Sequence, residues 1–260
     1  SIPAARMWLQ WSLVFVVALC SRRLASALGE VGGIAQRGEL VKDGSVFEYI
    51  HIAKCAGRAA KSMHSKKQGS PFAVVHKHRV RAADVEAKNH TAVAVLRDPV
   101  ERFESAFTFV RTGGFGVRLG PTHNLNAYNS SDSLAAALNS PDPALSHGRE
   151  ALRCDAKLRY CAPAPAAHTE FDPMQHTSIE FRPQSWWLNN LRAASLRIIC
   201  FDQLEAVLPG VRKVNKAARK TDSLKGYWFV RREVAEEANR AFVRRFYAAD
   251  EALYDKYCRH

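Results

Sequence analysis

The chain lacks several features that would name its chemistry at once. No block of five or more like charges occurs in its 260 residues, which argues against a disordered basic tail that wraps nucleic acid. The string G-x-x-x-x-G-K-[ST] is missing, so a nucleoside triphosphate in a Walker loop is not the natural expectation. Cys154, Cys161 and His168 match no standard zinc spacing and lack a fourth ligand, so no metal is expected. There is no internal repeat and no low-complexity tract. The apolar run Met7–Cys20 is 14 residues long, short of the roughly 20 that span a bilayer. Arg6 precedes it, Arg22 and Arg23 follow, and Ala25-Ser26-Ala27 resembles an A-x-A cleavage site. Two readings of residues 1–28 stand, a cleaved signal peptide and a short signal-anchor, and either delivers the remainder to the secretory lumen.

What is present begins with charge. Thirty-eight Lys and Arg against 25 Asp and Glu leave a net +13, which suits an acidic partner: nucleic acid, an anionic glycan, a phosphorylated cofactor or a membrane surface. A solvated basic surface with no ligand is the plainer alternative. Six cysteines fit an oxidising compartment. Cys154 and Cys161, seven apart in a Pro-rich stretch, read either as a local disulfide or as free thiols.

After a stem over 29–45, four apolar β-rich runs follow, at Val46–Ile52, Phe72–His76, Ala92–Leu96 and Leu196–Phe201. Helical stretches separate them, notably Ala59–Ser65 and Pro99–Arg111. Short apolar runs alternating with helices predict an α/β domain over 46–260, built on a central parallel sheet flanked by helices. Residues 112–182 turn rich in Gly, Pro, Asn, Ser and His. They read as an insertion facing a substrate, with a short helix near Ser133–Leu138. From Phe229 to Tyr257 apolar residues recur at i, i+4 and i+8, which predicts one long amphipathic closing helix.

Two strand-to-helix junctions carry the chemistry. In the first, Lys54-Cys55-Ala56-Gly57-Arg58-Ala59 follows the first strand directly. Small residues let backbone amides wrap an anion while Lys54 supplies a mobile charge, although a turn that merely packs helix on strand reads the same way. In the second, Asp98 is a good N-cap, Pro99 suits the first helical position and Glu101 completes a capping-box-like spacing. None of these accounts for Arg97, at a strand's carboxyl end where open α/β sheets bind ligands. Ser105 shares the helix face of Asp98, and the pair Arg97 and Ser105 suits a terminal phosphate. Val100, Phe103, Phe107 and Val110 form the buried stripe. Two such junctions suggest a nucleotide with phosphates at both ends.

The stretches YIHIAKCAGRAAKSM and VAVLRDPVERFESAF resemble the 5′-phosphosulfate and 3′-phosphate motifs of the Golgi carbohydrate sulfotransferases. FRPQSWWL, RIICFDQLEAVLPG, VNKAARK and FYAADEALYDKY resemble later parts of that family, so the likeness runs from Val46 to Tyr257. The resemblance implies a P-loop nucleotide-kinase-like fold and the co-substrate 3′-phosphoadenosine-5′-phosphosulfate (PAPS). It implies transfer of a sulfuryl group to a hydroxyl of an anionic or neutral glycan, with no nucleic-acid partner and no metal. It implies a place in the Golgi lumen, membrane-bound through the N-terminal segment or secreted if that segment is cleaved. In those terms Lys54, Cys55, Ala56, Gly57, Arg58 and Ala59 meet the 5′ end, and Arg97 and Ser105 the 3′-phosphate. Asn215 and Lys220 approach the nucleotide from a later loop. The first motif departs from the family's Pro-Lys-Thr-Gly-Gly-Thr-Ser: Arg58 and Ala59 stand where hydroxyl residues usually do.

His76-Lys77-His78 resembles the His-x-His of uronyl 2-O-sulfotransferases, in which the second histidine is the base. A hydroxyl must lose its proton as the sulfuryl group arrives, and an imidazole suits that task. Strand alternation puts His76 and His78 on one face; exposed strand-end histidines are the alternative. His51 reads as a satisfied core residue. Two other readings remain, a non-catalytic PAPS- or glycan-binding relative and an ATP-dependent phosphotransferase.

Overall fold

Backbone pairing follows the four apolar runs. The computed structural model describes residues 46–65, 70–78, 80–111, 124–140, 152, 178–188, 195–208 and 234–259. Strands β1 (Phe47–Ile50), β2 (Val74–Val75), β3 (Thr91–Leu96) and β4 (Leu196–Cys200) form one all-parallel sheet in the order β2-β1-β3-β4. Tyr49 stands opposite Val93 and Ala94 opposite Ile198, so β1 and β3 lie side by side with their carboxyl ends together. Residues Ala92 to Leu96 are wholly buried, as expected of a central parallel strand covered on both faces. Each of its Val and Leu side chains contributes roughly 1.5–3 kcal/mol on burial.

β2 is shorter than its apolar run predicts. Pro71 has no N–H to give, and the amide of Phe72 turns to Ser70 Oγ at 3.2 Å instead of the sheet. Phe72 itself stays buried, its ring 5.1 Å from that of Tyr49.

Helices α1 (Gly57–Ser65), α2 (Ala82–Glu86) and α3 (Pro99–Arg111) follow the first three strands. α4 (Ser131–Asn139) occupies the place of the helix expected inside the insertion, capped by Ser130 Oγ accepting from the Ser133 amide at 3.0 Å. α5 (Ser185–Leu188) and α6 (Leu204–Val207) flank β4. Val100, Phe103 and Phe107 of α3 are fully buried against α4 and the C-terminal helices, with Val110 at the margin.

The single closing helix expected from periodicity is two. α7 (Glu237–Phe246) and α8 (Ala248–Cys258) meet at Tyr247, whose backbone leaves the helical region (φ −107°, ψ 40°). Tyr247 is buried, and its hydroxyl donates to the Phe181 carbonyl at 2.7 Å. The break lets α7 pack on α3 and α4 while α8 returns to β4 and α5. A disulfide between Cys200 and Cys258 ties that return to the end of β4. Cys154, Cys161 and the segment 1–45 lie outside the described residues. Among the described residues no helix is long and apolar enough to cross a membrane.

Candidate functional site

The first loop leaves β1 through two strained residues. Lys54 and Ala56 hold left-handed backbone, with φ of 66° and 57°, which costs of order 1–3 kcal/mol at a non-glycine residue. Fixed contacts hold it there. Tyr49 Oη donates to the Cys55 carbonyl at 2.8 Å, and Cys55 Sγ donates to Gln184 Oε1 at 3.2 Å. Burial pushes the Cys55 thiol up to about 11, so it stays a protonated donor. The Ala56 carbonyl accepts from Ala59 and Ala60, which starts α1 at Gly57. Gly57 and Arg58 open the first turn of α1, where helix amides point out of the helix toward the loop. Ala59 is fully buried, so only its backbone faces the loop. Lys54 Nζ lies 3.8 Å from the centroid of the Phe109 ring on α3, and Arg58 Cζ lies 5.6 Å from it. One aromatic side chain of the second junction's helix thus carries both cations of the first.

The second junction is capped as its sequence predicts. Asp98 Oδ1 accepts the amides of Val100 and Glu101 at 2.8 and 3.1 Å. Glu101 does not reach back to the cap; its carboxylate takes Arg97 Nε at 3.2 Å. Arg97 stacks over Phe201 at 4.6 Å, leaving its terminal nitrogens, the pair that makes bidentate contacts, outside the Glu101 bond. Asp98 Oδ2 also draws in Arg244 and Arg259, at 3.5 and 3.4 Å. Ser105 is half-buried two turns further along α3.

Sequence reasoning missed the residue that joins the junctions. Gln184 Oε1 accepts the Arg97 amide at 3.0 Å as well as the Cys55 thiol, and Gln184 Nε2 donates to the Arg97 carbonyl at 2.8 Å. Its own amide and that of Ser185 donate to Asp250 on α8, at 2.7 and 2.9 Å. The available signal was a lone amide after Pro183, in front of an apolar Trp-Trp-Leu turn. Below it lies Arg102, fully buried, none of whose side-chain nitrogens reaches a hydrogen-bond partner among the described residues. Burial raises the Asp250 pKa, opposed by the Arg102 charge and the two amides.

The two histidines of His-x-His part company, because β2 ends at Val75 and strand alternation does not carry through to His78. His76 Nε2 meets Glu48 Oε2 at 2.5 Å, His90 Nδ1 meets Glu48 Oε1 at 2.6 Å, and Lys88 Nζ stands 3.3 Å away. Burial of the Glu48 carboxylate raises its pKa, but these three donors bring it down to about 2. His78 instead donates from Nδ1 to the His51 carbonyl at 3.0 Å, since a carbonyl can only accept. Its Nε2 therefore bears the lone pair. Trp187 Nε1 holds the His78 carbonyl at 2.9 Å. Burial lowers the His78 pKa, opposed by the His51 carbonyl and by Glu180, which favours a neutral imidazole. Asn215 and Lys220 lie outside the described residues.

No family model, curated protein or solved structure matches this chain.

Proposed function

We propose that the chain is a sulfotransferase, on a P-loop nucleotide-kinase-like fold, that moves a sulfuryl group from PAPS to a hydroxyl of a carbohydrate. The observation that supports it is the pairing of the junctions. β1 and β3 are neighbouring parallel strands, and Gln184 clamps Cys55 at the end of one to Arg97 at the end of the other. A nucleotide charged at both ends suits two cation-bearing helix starts held side by side.

The residues present fit PAPS. The amides of Gly57 and Arg58, with the side chains of Lys54 and Arg58, receive the 5′ end; Arg97 and Ser105 receive the 3′-phosphate. Bound PAPS supplies the electrophilic sulfur and departs as 3′,5′-ADP. Lys54, resting on Phe109, has a flexible stem that follows charge as it grows on the bridging oxygen. Nε2 of His78 accepts the hydroxyl proton as the new bond forms. His76, committed to Glu48, holds the approach to that segment. The acceptor is a neutral or anionic glycan, and the compartment is the secretory lumen.

A non-catalytic PAPS- or glycan-binding relative is the second reading, favoured by Arg58 and Ala59 at positions where hydroxyl residues are usual. Retention on immobilised 3′,5′-ADP, followed by transfer of labelled sulfate from PAPS to desulfated polysaccharides, separates the two. Arg97→Ala should weaken retention about tenfold, at the low end for a charge-assisted contact because Glu101 already competes for the guanidinium. If the nucleotide binds, no acceptor is sulfated and Lys54→Ala changes nothing, the catalytic reading falls.

A further inference from the structure

His51 leaves β1 one residue past its end and turns onto the helix start. Its ring occupies the space over Gly57 so closely that a Cβ there would lie 1.6 Å from Cδ2 and 1.8 Å from Nε2. Glycine at 57 is therefore the condition for this ring position, in addition to any part in the loop. The ring also meets the His78 imidazole, with centroids 3.8 Å apart and planes inclined at 39°. The same residue's carbonyl accepts from His78 Nδ1.

We propose that His51 is a positioning residue for His78: its ring is the floor on which the His78 imidazole lies, and its carbonyl selects the nitrogen that carries the lone pair. This rests on the sulfotransferase reading for its consequence and not for its geometry. In the transfer step the acceptor O–H proton goes to His78 Nε2 and a new O–S bond forms. The S–O bond to the 5′-phosphate breaks, its electron pair leaving on that phosphate oxygen. A ring free to rotate or change tautomer would present Nδ1 to the acceptor part of the time.

The surroundings keep the floor uncharged. Burial, the neighbouring His78 and the cations Lys61, Lys54 and Arg58 bring the His51 pKa down to about 3. The groups that act on His78 are the His51 carbonyl, Glu180 and Lys54. With His51 neutral well above pH 3, the tilted pair meets no charge repulsion when His78 takes up a proton.

The test is histidine nitrogen spectroscopy on the full chain without nucleotide, comparing wild type with His51→Ala. Wild type should show His78 as the Nδ1–H tautomer with a depressed titration. In the variant the backbone carbonyl at 51 remains, so the Nδ1–H tautomer persists, while water reaches the ring and the titration moves up toward the ordinary value near 6.5. His76, held by Glu48, should not move. Gly57→Ala, whose Cβ overlaps the His51 ring, should shift His78 in the same direction. In turnover, the acid limb of kcat/KM against pH should move upward in His51→Ala, whereas a purely structural loss lowers the whole profile without moving the limb. If His78 titrates alike with and without the ring, if His76 moves with it, or if both variants unfold, the proposal falls. If the spectra change as described while wild type sulfates no glycan, His51 still positions His78 and the sulfotransferase reading is what fails.

Discussion

At the end of β1 the chain passes through left-handed backbone at Lys54 and Ala56, whereas at the end of β3 it runs directly into a helix capped by Asp98. The first turn is held from outside, by Tyr49, Gln184 and the ring of His51 against Gly57. The second shares the Gln184 brace but is also capped from within, by a side chain two and three residues from the amides it takes. Their cations differ too. Lys54 carries its charge over the Phe109 ring at the end of a flexible stem. Arg97 is already matched by Glu101 and Phe201. A strained loop ending in a lysine on a flexible stem suits a changing charge; a helix capped by Asp98, with an arginine matched by Glu101, suits a constant one.

That contrast is broken most sharply at Lys54. Lys54→Ala should lower kcat for sulfate transfer by about 10²–10³-fold, the loss typical of one donor to a developing negative charge. Retention on 3′,5′-ADP, which Arg97 and Ser105 also hold by its 3′-phosphate, should fall by far less. Equal losses in both measurements would erase the division between the junctions.

A change at Glu48, on β1 but away from both loops, provides the control. Its folded pKa of about 2 lies below the ordinary 4.5, so its contribution is fully present above pH 4.5 and disappears as pH falls toward 2. The shift corresponds to about 3 kcal/mol, and the side chain is only 3% exposed, so little of that is screened. Urea midpoints measured from pH 6 to pH 2 should fall steeply in wild type. Glu48→Gln should start lower and stay flatter.

The smallest effect tests the clamp. Gln184→Leu leaves the Cys55 thiol and the Arg97 amide without their shared acceptor, which should cost about 2 kcal/mol in urea unfolding. Both nucleotide retention and transfer should drop together, because the two junctions lose their common registration. Loss of only one would show that they are independent sites.

Much of this was legible along the chain. The run Ala92–Leu96, the cap at Asp98 and the proline at 99 predict strand, turn and helix from residues within ten positions of one another. The boundaries of α3 match the stretch expected. Gln184 was not legible in the same way, because its partners lie 129 and 87 residues away and nothing in FRPQSWWL points to either. Nor was the parting of His76 and His78. Alternation assumes that the strand continues, and β2 ends at Val75, before either histidine.

Local order therefore came from local chemistry: apolar runs that must be buried, a carboxylate that caps, small residues that permit a tight turn. Tertiary packing decided where the closing helix breaks at Tyr247 and that Cys258 bonds Cys200. It also decided which nitrogen of His78 carries the lone pair. Each of these depends on a partner distant in sequence. The free energy of such a contact exists only once the sheet has brought the two segments together, so no periodicity or spacing near either residue records it.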